Sequence, residues 1–162
     1  AVGMMDKGKG GNVVQGPNVY PMLALMLGSE AVERGAWQEA HAFLDRGIAM
    51  QPDNSSLLVE KSAAYLGQEN WTAALAIADK ALADDSLFLT LTLKREPFLR
   101  KRGYALVELG RLKEGREAYA EALKLDENDK ISRNEIAYID GLLAGAAPTP
   151  GAPLIAPASR PN

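Results

Sequence analysis

The sequence predicts an all-α protein, an α-solenoid of repeated helical hairpins, and three observations carry that expectation. An amphipathic helix–turn–helix pattern runs from Glu96 to Asp129, with its turn at Gly110. The turn signature Gly110-Arg-Leu-Lys-Glu has weaker counterparts in Gly35-Ala-Trp-Gln-Glu and Glu69-Asn-Trp-Thr-Ala. Measured from these turns, the units start at Pro21, Ser55 and Glu96, so the second follows the first after 34 residues and the third follows after 41. Units repeated at one period bury their apolar faces only against their neighbours, which is the logic of a solenoid.

Residues 1–20 hold five glycines and no helical period, and are expected to form an arm. Within it, Gly8-Lys9-Gly10-Gly11 is not a phosphate loop, because no strand precedes it and no Ser or Thr follows the lysine. Ala1 in place of an initiator Met favours an exported, periplasmic chain processed behind a small residue, with a cytoplasmic location as the alternative. Pro21 suits the first turn of a helix, where its missing N–H is not needed, and opens the first unit, 21–54. The second unit is 55–88. An insertion at 89–95 follows, in which Leu89, Leu91 and Leu93 alternate with Thr90 and Thr92. That is a strand-like period, but a lone strand has no sheet. The leucines are therefore expected to seal the joint between units, with an edge for strand addition as the alternative reading. The third unit is 96–129. Residues 130–143, with Ile131, Ile136, Ile139, Leu142 and Leu143 at helical spacing, are expected to form a capping helix with a polar outer face. A Pro/Ala-rich tail, 144–162, completes the chain.

Residue by residue, the stretch 21–129 resembles the tetratricopeptide repeat family, whose period is about 34 residues. That family places Leu-Gly at the seventh and eighth positions and a large residue at the eleventh. Here those positions hold Leu27-Gly28 and Ala31, Lys61-Ser62 and Tyr65, and Arg102-Gly103 and Leu106. In the second helix it wants a small residue, then an aromatic, then Ala and a stop. Ala40, Leu44, Gly47 and Pro52 answer in the first unit, Ala74, Ala78, Ala81 and Ser86 in the second, and Gly115, Tyr119, Ala122 and Glu127 in the third. Gly47 and Gly115 are expected to cost local helix stability, about 1 kcal/mol each against Ala. Gly35, Gly110 and Asn70 are expected to take the left-handed conformation at the turns. The equivalent tryptophans Trp37 and Trp71 are expected to pack between helices. The resemblance implies a right-handed solenoid of three units plus the capping helix.

Composition limits the function. Net charge is −3 and the pI about 5.3, which argues against a general nucleic-acid binder. No apolar run approaches the ~18 residues needed to span a bilayer. There is no cysteine and one histidine, His41, expected as an exposed helix residue. Imidazole or thiolate metal sites and the usual nucleophile pairs therefore lack parts, and no catalytic residue, metal or cofactor is expected. The basic cluster Lys94, Arg95, Arg100, Lys101 and Arg102 is expected to be a solvated face balanced by Glu108, Glu114, Asp84 and Asp85.

In the family that the chain resembles, the first helix of each unit builds a concave wall that holds peptides. The resemblance places Met22, Leu25, Ser29 and Val32 there in the first unit. From the second come Ser56, Val59, Ala63 and Leu66, and from the third Pro97, Arg100, Tyr104 and Val107. This implies a groove that is apolar toward the N-terminus, with Arg100 and Lys101 available to an acidic group. It does not match the carboxylate clamps that hold chaperone tails. Leu25, Ser29, Glu60 and Pro97 stand where that clamp needs Lys, Asn, Asn and Lys, and only Lys101 keeps the right charge.

The expected function is a non-catalytic adaptor or scaffold that binds a protein partner through a peptide or helix in this groove. The alternatives are a structural subunit of a larger or homo-oligomeric assembly, held by its termini and the 87–95 segment, and a secretion-type chaperone.

Overall fold

The computed structural model describes residues 19–88 and 94–148. Most of the arm, the Leu/Thr alternation at 89–93 and most of the tail lie outside the described residues. Among the described residues there are seven α-helices and no strand. They are α1 (Tyr20–Glu33), α2 (Trp37–Met50), α3 (Ser55–Gly67), α4 (Trp71–Ala83), α5 (Glu96–Glu108), α6 (Leu112–Leu125) and α7 (Lys130–Leu143), with a 3₁₀ turn at Asp85–Phe88.

Local chemistry starts and stops these helices. Pro21 and Pro97 lie in the first turns of α1 and α5. The Asn54 side-chain oxygen accepts from the amides of Ser56 and Leu57 at 3.1 and 3.3 Å and so caps α3. At the turns inside the three hairpins, Gly35 and Gly110 have φ of 71° and 74° as expected, but the middle turn differs. There Glu69 takes φ 57°, while Asn70 caps α4 by accepting from the Ala73 amide at 3.2 Å. Asn is worth more as a cap than as a left-handed residue, and Glu69 bears the strain.

Helices α1 and α2, α3 and α4, and α5 and α6 pair as hairpins. Each second helix also packs on the next first helix, α2 on α3, α4 on α5 and α6 on α7. Side-chain size is matched inside each pair. A Cβ added to Gly28 would stand 2.6 Å from a Leu44 methyl, and one added to Gly103 would stand 2.7 Å from the Tyr119 ring. In the middle hairpin the equivalent pair is Ser62 and Ala78, both buried, and the Ser62 hydroxyl donates to the Ala74 carbonyl at 3.3 Å. Gly47 and Gly115 are close approaches too, the first against Leu57 and Ala24, the second against Val107 and the Gly103 carbonyl. Their expected local helix cost therefore comes with a packing need, since a Cβ at either position would crowd the joint. The tryptophans pack as expected. Trp37 lies against Gly67, and Trp71 meets the Tyr104 ring edge-on at 5.6 Å between centroids.

Candidate peptide groove

The first helices lie side by side, α1 against α3 and α3 against α5, and so form one continuous wall. Met22 is exposed on it. Leu25 and Val32 are half-buried, packed on a cluster that includes Ala24, Ala31 and Leu44. Ser29 and Ala63 are half-buried, as are Val59, beside Phe98 and Ala81, and Tyr104, beside Trp71.

Two expected groove residues do not line it. Leu66 is only 6% exposed, sealed among Leu75, Ala105 and Leu106, and Val107 is 9% exposed beside Tyr119 and Ile139. Both stand near the C-terminal ends of their helices, where the next hairpin or α7 closes over them.

The basic end of the groove is also corrected. Arg100 is already partly engaged, because one N–H of its guanidinium donates to Asp129 at 3.0 Å. Asp129 is buried and caps α7, accepting from the amides of Ile131 and Ser132 and from the Ser132 hydroxyl. Burial works to raise the Asp129 carboxyl, but the Ser132 bonds and the Arg100 guanidinium outweigh it and hold it below the usual carboxylate range. Lys101 remains on the wall, half-buried. Burial lowers its ammonium from the ordinary amine value, with Glu60 opposing and Arg100 adding to that shift.

Arg95 and Arg102 of the basic cluster are engaged in the fold, with acids other than most of those expected, while Lys94 is exposed as expected. Arg95 reaches Asp85 at 2.7 Å and the Leu82 carbonyl at 2.8 Å, and Arg102 bridges to Asp79 on α4 at 2.7 Å. His41 is half-buried rather than exposed. Its Nε2 lies 3.0 Å from the Gln68 amide oxygen, and its ring is 4.6 Å from that of Tyr65.

Sequence reasoning missed a buried polar group where α5, α6 and α7 meet. Glu135 on α7 is 7% exposed, and burial, with Glu108 nearby, pushes its carboxyl up to about 7. Burial, with a contribution from Glu135, raises the Tyr119 phenol. Neither the Tyr119 hydroxyl nor Glu135 Oε2 has a hydrogen-bond partner among the described residues. The signal in the sequence is a lone Glu at a position that faces inward on an amphipathic helix. On the side of the second helices, a cleft of about 630 Å³ runs between α2, α3 and α4, with Ile48, Leu58 and Ile77 in its walls. Among the described residues no cluster of His, Asp and Glu could hold a metal ion, and no helix is long and apolar enough to cross a membrane.

Comparison with known proteins agrees with this architecture. A family model of the tetratricopeptide repeat matches residues 97–129. The first TPR domain of the human RPAP3 protein is similar in structure, with a TM-score of 0.68 and 23% identity over 78% of this chain and 94% of that one. The Arabidopsis OM64 TPR domain has a TM-score of 0.68 and 21% identity, over 76% of this chain and 96% of that one. The first TPR of Spaghetti (RPAP3), bound to the HSP90 peptide SRMEEVD, has a TM-score of 0.67 and 22% identity, over 77% of this chain and 94% of that one. No protein of curated function matches the sequence.

Proposed function

We propose, for a chain that is a tetratricopeptide repeat protein, that it works as a non-catalytic adaptor, holding an extended or helical peptide of a partner protein against the wall of α1, α3 and α5. One observation carries this reading. Leu25, Val59 and Tyr104 stand on three adjacent first helices and stay half-buried, so apolar surface runs across the wall instead of closing into the core. Such a surface rewards apolar anchors spaced along a partner, and Met22 adds an adaptable, exposed contact.

The Spaghetti structure holds the acidic HSP90 peptide SRMEEVD, but the ligand proposed here differs in charge. Leu25, Ser29, Glu60 and Pro97 offer a terminal carboxylate few donors, and Arg100 is already partly engaged by Asp129. The peptide is therefore apolar in its anchors, with at most one acid directed at Lys101.

Selection of a random-peptide display library on the immobilised full chain tests the reading. Enrichment of peptides with spaced apolar residues is expected. Those peptides should lose at least about tenfold in affinity, roughly 1.4 kcal/mol, on Ala63→Glu, which puts a charge in the middle of the wall. They should keep it on Glu121→Lys, an exposed change on α6. Binding that survives Ala63→Glu in a folded protein would remove the groove from the function.

A further inference from the structure

The joint between α5 and α7 brings acids together where the joint before it pairs an acid with a base. Glu60 of α3 and Lys101 of α5 stand at the same place in their units, and each lies within electrostatic reach of the other. One period of 34 residues beyond Lys101 the position is Glu135 of α7, and across that joint it meets Glu108 of α5 instead of a base. A third acid, Glu69, stands at the turn before α4 and also acts on Glu108. The three come from separate elements and gather around one ring. Burial raises the Tyr104 phenol first, and Glu108, Glu135 and Glu69 add to that shift in turn, so all three carboxyls lie near it. Glu69 and Glu108 are exposed, and Tyr104 is half-buried on the wall one helical turn before Glu108, so the cluster opens on the same surface as the groove.

Two buried atoms in this cluster lack the partner that buried polar atoms normally have. Glu135 is 7% exposed, and its Oε2 has no hydrogen-bond partner among the described residues. The fully buried Tyr119 hydroxyl has none either, and Glu135 and Tyr104 are among its electrostatic neighbours. The fold supplies no base to them. Among the described residues no lysine or arginine forms an ion pair with Glu69, Glu108 or Glu135. Arg100, which also acts on Tyr119, directs an N–H to Asp129. We propose that this end of the wall takes a basic side chain, an arginine or a lysine, of the peptide that the wall holds, an inference that rests on the groove reading above. Glu69 and Glu108 flank the cation, the Tyr104 ring lies under it, and Glu135 adds negative charge from beneath. A guanidinium suits the place best, because it is flat enough to lie on a ring while its N–H groups reach more than one carboxylate.

A double-mutant cycle on the full chain reads the contact. Peptides enriched in the display selection should carry an Arg or Lys at a fixed spacing from their apolar anchors. Changing that residue to Gln should cost at least about fivefold in affinity on the unaltered protein, and less than about twofold on Glu108→Gln, whose site is exposed. Glu117→Gln, which removes the same charge at an exposed position of α6, should keep the full loss. Equal losses on the unaltered protein and on Glu108→Gln would overturn the proposal, as would enriched peptides that hold no basic residue. A second reading needs no apolar anchor. Acetyl-arginine methylamide should shift the Tyr104 ring and Glu108 side-chain signals saturably in solution spectra, and acetyl-citrulline methylamide, of the same shape without the charge, should not. Equal responses to the two probes would overturn the proposal. Peptides lost on Ala63→Glu with no such discrimination would remove the basic pocket alone, whereas peptides that survive Ala63→Glu while the arginine probe still discriminates would remove the groove alone.

Discussion

The two ends of the solenoid solve one problem in opposite ways. At the C-terminal end, α7 lays Ile139 and Glu135 on the third hairpin and turns Arg133, Asn134, Ala137 and Asp140 to the solvent. Its start is fixed by the Asp129 cap with Arg100, and its far turn by Arg116, which bridges to Asp140 at 2.6 Å. At the N-terminal end, α1 turns Leu23, Met26 and Leu27 outward, and they are 47, 62 and 36% exposed. A repeat array stays soluble only if its end faces are polar or covered. One end therefore carries its polar cap within the described helices, whereas the other presents apolar side chains at the equivalent place.

The sharpest way to break this comparison is a matched truncation at equivalent positions. Leu57→Ala empties a fully buried site and should cost about 2–5 kcal/mol in denaturant unfolding. Leu23→Ala, the same chemistry at the open end, should cost well under half as much. Equal costs would mean that α1 is as deeply packed as α3 and that the two ends do not differ.

At the capped end, Asp129→Ala removes a helix cap and leaves Arg100 without its buried partner. A loss of about 3 kcal/mol is expected, with Asp129→Asn retaining part of it through the cap. Amide exchange should locate the damage in α7 and spare α1. The Asp129 contribution also depends on pH. Because its carboxyl is held below the usual range in the folded state, its stabilisation is present above the unfolded-state value and is lost as pH falls through the folded one.

Glu135 has the opposite sign. Its folded-state carboxyl titrates at about 7, above an ordinary glutamate, so the folded protein keeps a proton that the unfolded chain has released. Stability therefore falls between about pH 4.5 and 7 and stays lowered above that range. Glu135→Gln should stabilise by roughly 1–3 kcal/mol at pH 8 and change little at pH 4. A gain that is the same at both pH values would mean that the carboxyl ionises freely and that the α7 joint is wetter than its 7% exposure implies.

The hairpins were legible in the sequence because a spacing of 34 residues and the turn residues are local facts, and so was the capping helix, whose polar and apolar residues alternate at helical spacing. The groove was legible only in part. Leu66 and Val107 occupy wall positions in the repeat pattern, but the next element in the chain covers them, and a repeat pattern does not say how far a neighbour overlaps. Arg100 was offered to a ligand because its acid lies 29 residues away, beyond any local pattern. The glycines at 47 and 115 looked like defects, since helix propensity is a property of one residue while close approach is a property of two. The exposed face of α1 could be seen only against Leu57, which is fully buried at the equivalent position of the second unit.

The smallest expected effect lies in the middle hairpin, between the two ends. Glu69 stands where Gly35 and Gly110 stand in the flanking units, and all three have positive φ. A side chain in that conformation costs about 1–2 kcal/mol, because its Cβ crowds the following carbonyl, whereas glycine gives part of the saving back through its freer unfolded chain. Glu69→Gly should therefore stabilise by about 0.5–1 kcal/mol. Glu69 also lies close enough to Glu108 to help raise that carboxyl, after burial, so the substitution should lower the Glu108 titration as well. Chemical-shift titration of Glu108 together with denaturant unfolding separates the two effects. A stability gain without a shift at Glu108 assigns the cost to the backbone alone, and no gain at all would mean that the turn before α4 is relaxed with a glutamate in it.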